Sequence, residues 1–451
     1  MERRQFIHRL AWGSMALGLP LSLRSAQAAG PNDRLLVTFD ADGAWDPTFF
    51  CDPHGSRPSH TFYSAAQILT NSAGLTYAPK TVSGRNADVY RVADDADFFA
   101  KWADEMVVFR GLETLTNAHE VGVRHVWSGF KNGGYPSLGA LLGAVRGSEQ
   151  PMAYLSTGGY DVNGGLVHTT RIGRVQPLMA AARPNRVALA GADERTFHSL
   201  DTMAAIQQAQ DQRTQRILGQ TSLPYAEKIL RELQKSRGLE ASFTPLLERL
   251  RSLPALTNRQ RSNPLITQAQ VVFAALSVGV TSAANLSLSG FDTHTRHDDS
   301  GPLNGHRPRL QELFDAIDYL LDLAKTEPSI YNRLVVVAGS DFGRSRYNSN
   351  SVTDRGKDHW PITSLMAFGP LIGGGRVIGA TTLDDESAGP VALPLDPQLN
   401  VTAANNPQGQ ALRPAHIHLA LRQLLGVHES SLAQRYPLLR EVGSTPLPLF
   451  G

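Results

Sequence analysis

The sequence contains little cysteine and little net charge. Cys51 is the only cysteine among 451 residues, which excludes an internal disulfide and a metal site built from several thiolates. Lys and Arg number 43 against 41 Asp and Glu, so the formal net charge is only +2. The sequence also lacks a run of basic residues that would follow a phosphate backbone. We therefore expect a core stabilised by apolar packing and no nucleic-acid partner.

Long apolar runs are also absent, and the one apolar stretch near the N-terminus is short. Within residues 1–28, the paired arginines Arg3 and Arg4 come near the start and an interrupted apolar stretch follows over 10–23. A small-x-small pattern ends at Ala28. This order is typical of an export signal, and the paired arginines indicate the twin-arginine route. The stretch is shorter than the roughly 20 residues of a spanning helix. We predict a cleaved signal, the twin-arginine translocase as partner during export, no stable membrane span, and a periplasmic or extracellular mature protein.

Apolar periodicity predicts an α/β fold. Strands are expected at 34–40, 106–110, 285–289 and 334–338. Helical patterns lie between them, at 137–146, 202–218, 225–233, 265–276, 310–324 and 415–425. Strands that alternate with helices favour a mostly parallel sheet sandwiched by helices. The stretch 197–262 is rich in Gln and Arg and poor in strand signals, so we expect it to be a helical insertion.

Acidic residues and histidines collect directly after the predicted strands. These residues are Asp40, Asp42, Asp46, Asp292, His294, Asp341, Asp358 and His359. Open α/β sheets bind ligands at the carboxyl ends of their strands. Carboxylates packed together repel one another unless a cation or an arginine balances them. Because oxygen and imidazole ligands suit Zn²⁺, Mn²⁺ or Mg²⁺, the pattern predicts a divalent metal site.

Taken together, the motifs resemble those of a known family. The segment GFDTH at 290–294, the helical run at 310–323, SDFGR at 340–344 and the DH pair at 358–359 resemble the twin-arginine-exported family catalogued as domain of unknown function 1501. The core of that family is similar to the alkaline phosphatase superfamily. The similarity is strongest over 286–379.

The resemblance implies a fold and a chemistry. Residues 29–451 would form an alkaline-phosphatase-like α/β domain, with the helical insertion at 197–262 inside it. Two divalent ions, chosen from Zn, Mn, Mg or Ca, would bind at the carboxyl ends of the sheet. The substrate would be an anionic phosphate or sulfate ester, either a small molecule or a group carried on a polymer.

The resemblance also implies which residues bind metal. Asp292 and His294 match the ligands in the D-T-H motif, and Asp358 with His359 matches the late D-H pair. Asp341 stands where the family usually has glutamate. For the acidic ligand after the first strand, Asp46 is the match, and Asp40 is the competing choice.

The expected nucleophile position departs from the family pattern. Asn117, Ala118 and His119 stand where related sequences often have Ser-His, and the superfamily uses a Ser or Thr hydroxyl at this helix N-terminus to attack the ester. Ala118 has no hydroxyl. Three alternatives remain: one of the nearest hydroxyls, Thr114 or Thr116, replaces it, with Thr116 as the first choice; a metal-bound hydroxide attacks directly; or catalysis is lost.

Other polar residues allow simpler interpretations. Arg344 would either bind two oxygens of a transferring phosphoryl or sulfuryl group, or form an ion pair with Asp341. His416 and His418 could be metal ligands, but their helical pattern favours a position on a helix surface, which is what we expect.

Two functions therefore fit the sequence. The first is an exported metal-dependent hydrolase of a phosphate or sulfate ester, with Thr116, Asn117, His119 and Arg344 as catalytic candidates. The alternative is an exported binding or scaffold protein that keeps the fold but has lost the nucleophile. A phosphoryl or sulfuryl transferase or isomerase is a third interpretation.

Overall fold

The structure is a computed structural model in which one large sheet carries helices on both faces. It describes residues 33–55, 58–79, 95–147, 150–171, 185, 195–237, 239–299, 305–351, 353–383, 387–442 and 446–450. The predicted export signal, residues 1–28, lies outside these ranges. Among the described helices, none combines the length and the apolar character needed to cross a membrane.

The described chain forms fourteen strands, eight of them in the central sheet. In chain order they are β1 (Leu35–Asp42), β2 (Leu69–Thr70), β3 (Thr76–Tyr77), β4 (Met106–Glu113), β5 (Tyr154–Ser156), β6 (Thr169–Arg171), β7 (Ala283–Ser289), β8 (Leu334–Ser340), β9 (Gly343–Tyr347), β10 (Lys357–Trp360), β11 (Ile362–Phe368), β12 (Arg376–Ile378), β13 (Ala380–Thr382) and β14 (Val391–Leu393). The sheet order is β12-β4-β11-β8-β1-β7-β5-β6. Only β11 among these eight runs against its neighbours β4 and β8. The predicted α/β fold with a mostly parallel sheet is confirmed.

The helices also follow the predicted patterns closely. They are α1 (Asp95–Lys101), α2 (His119–Ser128), α3 (Leu138–Arg146), α4 (Leu200–Gln220), α5 (Pro224–Arg237), α6 (Leu239–Ser252), α7 (Asn258–Ser262), α8 (Pro264–Ser277), α9 (His306–Lys325), α10 (Pro328–Tyr331), α11 (Pro414–Leu424), α12 (Ser431–Gln434) and α13 (Leu439–Val442). Short 3-10 turns occur at Pro47–Phe49, Ala65–Gln67 and Ala103–Glu105. Helices α4 to α7 lie within the stretch 197–262.

Two apolar cores lie on opposite faces of the sheet. Successive side chains of a strand point to opposite faces, so Val37 and Phe39 of β1 join one core while Leu36 joins the other. Helices α8 and α9 cover the first core, and α2, α3 and α11 contribute to the second. Because both faces are covered, ligands can reach the sheet only at its edges or strand ends.

The surface position expected for His416 and His418 was wrong. Both histidines lie in α11, which packs against α2, and they are buried. His418 Nε2 lies 2.7 Å from the carbonyl oxygen of Val126 in α2 and donates a hydrogen bond to it. Burial lowers the pKa of His416 to about 4 and that of His418 to about 3. Both side chains are therefore part of the buried face with which α11 packs in the fold.

Asp40 lies inside the fold, where β1 meets α2. Its side chain is fully buried. Trp127 Nε1 of α2 donates to Asp40 Oδ1 over 2.8 Å, and Ser287 Oγ donates to Oδ2 over 3.3 Å. Burial raises the pKa of Asp40 to about 8, against the opposing effect of the Trp127 hydrogen bond. The carboxyl group is therefore mostly protonated at neutral pH and ties α2 to the sheet.

Asp40→Asn should change how the stability of the metal-free protein depends on pH. The folded pKa of about 8 lies above the ordinary value of 3.8. The contribution of Asp40 to stability is therefore full below pH 3.8 and is lost as the pH rises through about 8. Relative to wild type, the asparagine variant should gain stability between about pH 5 and about pH 8, measured by urea unfolding in a chelator. An equal difference at both pH values would contradict this assignment.

Candidate metal centre

The topology brings polar residues from distant parts of the chain to one edge of the sheet. Asp42 ends β1, Asp292 follows β7, and Asp341 follows β8. His119 begins α2, after the loop that leaves β4. His359 lies in β10, directly before β11, and because β11 is antiparallel its first residues meet the carboxyl ends of its neighbours.

Three imidazoles and one carboxylate converge at this edge. His359 Nε2 lies 3.1 Å from His119 Nε2, 3.0 Å from His294 Nε2 and 3.2 Å from Asp292 Oδ1. Candidate ligand atoms of His119, Asp292 and His359 all lie within 4.8 Å of one another. We refer to His119, Asp292, His294 and His359 as the histidine–aspartate cluster.

The other nitrogen of each imidazole faces an oxygen that can only accept a hydrogen bond. The three Nδ1 contacts are His119 with the Asp341 carboxylate, His294 with the Asp358 carboxylate, and His359 with the Asn117 carbonyl. Each neutral ring therefore carries its proton on Nδ1. The three Nε2 lone pairs then point at one another, and a proton or a cation between them is needed to relieve their repulsion.

The electrostatics of the cluster favour a bound cation. Burial opposes ionisation of Asp292, but the hydrogen bond and charge of Arg344 outweigh burial and lower the Asp292 pKa to about 2. The hydrogen bond to Asp341 raises the pKa of His119, which shows that this position attracts positive charge. Imidazole nitrogens fixed by carboxylates, together with one carboxylate oxygen, are a donor set that fits a divalent metal, Zn²⁺ above all.

Arg344 contacts the cluster from its buried side, so its guanidinium group cannot reach a bound ester. The side chain is fully buried, and Nη2 donates to Asp292 Oδ1 over 2.7 Å. Its remaining hydrogen bonds go to the backbone carbonyls of Gly43, Ala44, Phe291 and Lys357. The expected ion pair with Asp341 was wrong, because Arg344 pairs with Asp292. Arg344 therefore acts as a positioning residue.

Asp46 lies outside the histidine–aspartate cluster. Its carboxylate is fully buried, and Lys357 Nζ donates to Oδ2 over 2.5 Å. His297 Nε2 donates to the same oxygen over 3.1 Å. Burial would raise the pKa of Asp46, but the Lys357 charge and His297 outweigh burial and hold it well below its usual range. The predicted role of Asp46 as a metal ligand is not supported, because an ammonium group already balances its charge.

Asp42 is the acidic residue of the first strand that lies near the cluster, whereas the sequence analysis chose Asp46, with Asp40 as the competing choice, as the ligand after that strand. Partial burial and the charges of Asp341 and Asp292 raise its pKa, against the effect of His119. Asp42 is the last residue of β1, and this place at the end of the first strand is the signal in the sequence that could have identified it. Asp341 lies beside it and accepts hydrogen bonds from Ala44 N over 2.5 Å and Ser340 Oγ over 2.9 Å.

The N-terminus of α2 carries no hydroxyl group. Ala118 is the N-cap residue and makes no side-chain cap. The Thr116 hydroxyl accepts a hydrogen bond from the Ala118 amide over 3.1 Å. Thr114 is buried and donates to the Pro361 carbonyl. Of the four catalytic candidates, His119 is a member of the cluster, Arg344 contacts it from the buried side through Asp292, and Asn117 contributes its carbonyl.

Several solved structures resemble the chain at low sequence identity. The alkaline phosphatase from the Antarctic bacterium TAB5 is 10% identical, with 78% of this chain and 95% of that chain covered and a TM-score of 0.31. A protein in the alkaline phosphatase superfamily from Vibrio parahaemolyticus is 10% identical, with 95% and 76% covered and a TM-score of 0.37. A sulfatase from Pseudoalteromonas sp. is 9% identical, with 93% and 72% covered and a TM-score of 0.38.

The family assignment comes from the sequence of the chain. No curated protein matches it. The model of the family described as "Protein of unknown function (DUF1501)" matches residues 51–392. This match covers more than half of the chain and includes the residues of the histidine–aspartate cluster, so the chain belongs to the DUF1501 family.

Proposed function

We propose that this protein is an exported, metal-dependent hydrolase of phosphate or sulfate esters. The observation that carries the proposal is the convergence of three imidazole Nε2 atoms on the Asp292 carboxylate, at 3.5 Å for His119, 3.1 Å for His294 and 3.2 Å for His359. A divalent cation held by His119, Asp292, His294 and His359 would supply Lewis acidity toward an ester oxygen. Export to the periplasm or beyond rests on the twin-arginine pattern of residues 1–28.

The cluster is open to a substrate. Nearly half of the side-chain surface of Asp292 and His294 is exposed, at 46% and 44%, and His119 is 34% exposed. The first turn of α2 lies beside the cluster, because its first residue, His119, is a member of the cluster. The partial positive charge of a helix N-terminus favours an anion. An anionic ester would therefore meet favourable charge from two directions.

The residues of the chain have separable roles in this proposal. Asp341 and Asp358 hold the imidazoles of His119 and His294 in the orientation that presents Nε2. Arg344 orients Asp292. Because Ala118 provides no hydroxyl and the Thr116 hydroxyl is bonded to a backbone amide, we propose that water attacks the ester.

One observation favours a second function. The side chain at the N-terminus of α2 is that of alanine, so the chain would bind a metal and an anionic ester without cleaving the ester. Such a binding or scaffold protein would retain the metal and the affinity for the anion. It would show no turnover of aryl phosphate or aryl sulfate esters under conditions where the metal is bound.

His359→Ala should abolish both metal binding and hydrolysis. His359 Nε2 lies at the centre of the cluster, so its removal should lower Zn²⁺ affinity by about 100-fold or more. Metal content by elemental analysis and the rate with aryl phosphate and aryl sulfate esters are the measurements. His198→Ala is the matched control, because His198 is exposed on the stretch before α4 and should change neither quantity. A wild-type protein without stoichiometric divalent metal would overturn the proposal.

Thr116→Val distinguishes water from a protein nucleophile. If water attacks, the variant should keep kcat within about tenfold of wild type, since only the hydrogen bond to the Ala118 amide is lost. A loss of about 10³-fold in kcat with unchanged metal content would instead identify the Thr116 hydroxyl as the nucleophile. Thr116→Ser is the control, because it retains the hydroxyl and should restore the rate in that case.

A further inference from the structure

A closed ring of hydrogen bonds lies next to the histidine–aspartate cluster. The Asp46 amide donates to His306 Nε2 over 2.6 Å, and His306 Nδ1 lies 3.3 Å from Thr293 Oγ1. Thr293 Oγ1 lies 2.6 Å from His297 Nδ1, and His297 Nε2 lies 3.1 Å from Asp46 Oδ2. The ring therefore begins and ends at the same residue, Asp46.

The protons of this ring can be arranged in one direction only. A backbone N–H can only donate, so His306 Nε2 accepts and the neutral ring carries its proton on Nδ1, which donates to Thr293 Oγ1. The Thr293 hydroxyl then donates to His297 Nδ1 over 2.6 Å and not to the more distant Phe291 carbonyl at 3.3 Å, because a neutral His297 with its proton on Nε2 can only accept at Nδ1. The Nε2 proton of His297 donates to the Asp46 carboxylate. Each group in the ring is satisfied in this single arrangement.

The ring is sealed from water and tightly packed. Asp46, His297 and His306 are fully buried, and Thr293 is 9% exposed. The two imidazoles stack with centroids 4.5 Å apart, and Phe49 packs in a T-shaped arrangement with His297, with ring centroids 4.6 Å apart. A buried polar group that loses its partner cannot turn to water instead. Removing one member should therefore disturb the whole ring.

The ring is joined to two of the three segments that carry the proposed metal ligands, the third being the start of α2 with His119. Thr293 stands between Asp292 and His294 in the chain. Lys357, which precedes Asp358 and His359, donates from Nζ to Asp46 Oδ2 over 2.5 Å. The Lys357 amide also donates to the Thr293 carbonyl over 3.2 Å. One buried carboxylate thus fixes the spacing between the two ligand segments.

We infer that Asp46, Thr293, His297, His306 and Lys357 form a positioning cluster that sets the distance between the ligands Asp292, His294 and His359 and thereby the metal affinity. This inference rests on the proposed metal-dependent function. The Thr293 hydroxyl is the link that can be tested with least change in volume, since valine has nearly the same shape as threonine.

The test compares Zn²⁺ affinity between Thr293→Val and Thr293→Ser by competition with a chromophoric chelator. The valine variant should bind Zn²⁺ about 10- to 100-fold more weakly than wild type. The serine variant keeps the hydroxyl and should stay within about threefold. The matched control is Thr281→Val, because Thr281 is fully buried just before β7, at the end of that strand far from the cluster, and its hydroxyl donates to the carbonyls of Ala153 and Ala283. This control should bind Zn²⁺ as wild type does, and the Tm of each metal-free variant reports folding.

The outcomes separate this inference from the proposed function. If wild type binds no divalent metal, the proposed function fails and the inference fails with it. If wild type binds Zn²⁺ and Thr293→Val binds equally well, the positioning role is overturned while the proposed function stands. An equal loss in Thr293→Ser or in Thr281→Val also overturns it, because the hydroxyl of Thr293 would not be the cause.

A second measurement uses the unaltered protein and does not depend on how a variant folds. Long-range ¹⁵N NMR of the metal-free protein reports which nitrogen of each imidazole carries the proton. The ring requires His306 protonated on Nδ1 and His297 protonated on Nε2. The opposite tautomer at either residue would overturn the inference.

Discussion

The geometry of the site depends on one buried guanidinium group. Arg344 has no exposed surface, and a charge in this position is stable only when its donors are paired. Its partners belong to three segments that are far apart in the chain, at Gly43 after β1, Asp292 after β7 and Lys357 in β10. The planar fork of arginine can bind all three at fixed angles, which lysine could not do. Gly43 is needed for this approach, because its φ is +112° and a Cβ there would lie 2.6 Å from the Asp292 amide nitrogen.

Charge compensation explains why a cation would bind at the histidine–aspartate cluster and not beside it. Lys357 balances Asp46, and Asp40 is mostly protonated because burial raises its pKa to about 8. These carboxylates have no need of a metal. Asp341 and Asp358 instead face imidazoles, which are neutral unless protonated. Among these four carboxylates, those neither balanced by a cation nor protonated are therefore the two that contact the imidazoles of the cluster.

The sequence predicts the parts of the fold that depend on local pattern. The apolar run at 334–338 was expected to be a strand and lies within β8, because β-branched residues bounded by polar residues favour a buried strand. The antiparallel β11 was not predicted. All residues of Ile362–Phe368 are buried, and nothing in this run indicates whether the strand is parallel or antiparallel to its neighbours. Its orientation is set by the hairpin of β9 and β10, which turns the chain back at the edge of the sheet.

The sequence likewise predicted only part of the candidate site. Asp292, His294 and His359 could be proposed because each follows or precedes a strand at the ligand-binding edge. The choice of Asp46 as a ligand is not supported, because Lys357 balances its charge. This partner is 311 residues away, and a contact over that separation leaves no periodic signal. The burial of His416 and His418 was missed for the same reason, since it depends on the packing of α11 against α2.

The N-terminus of α2 shows how the close packing of this helix determines the chemistry available. Gly122 lies one turn into the helix, and a Cβ there would lie 2.5 Å from the Asp341 carbonyl oxygen. Glycine thus lets α2 approach the loop after β8 closely enough for His119 to contact the Asp341 carboxylate. The residue that reaches the cluster from this helix is therefore an imidazole whose Nδ1 is already engaged. With Ala118 before it, the helix offers a ligand and not a hydroxyl group, which is why the proposed reaction takes its attacking oxygen from water.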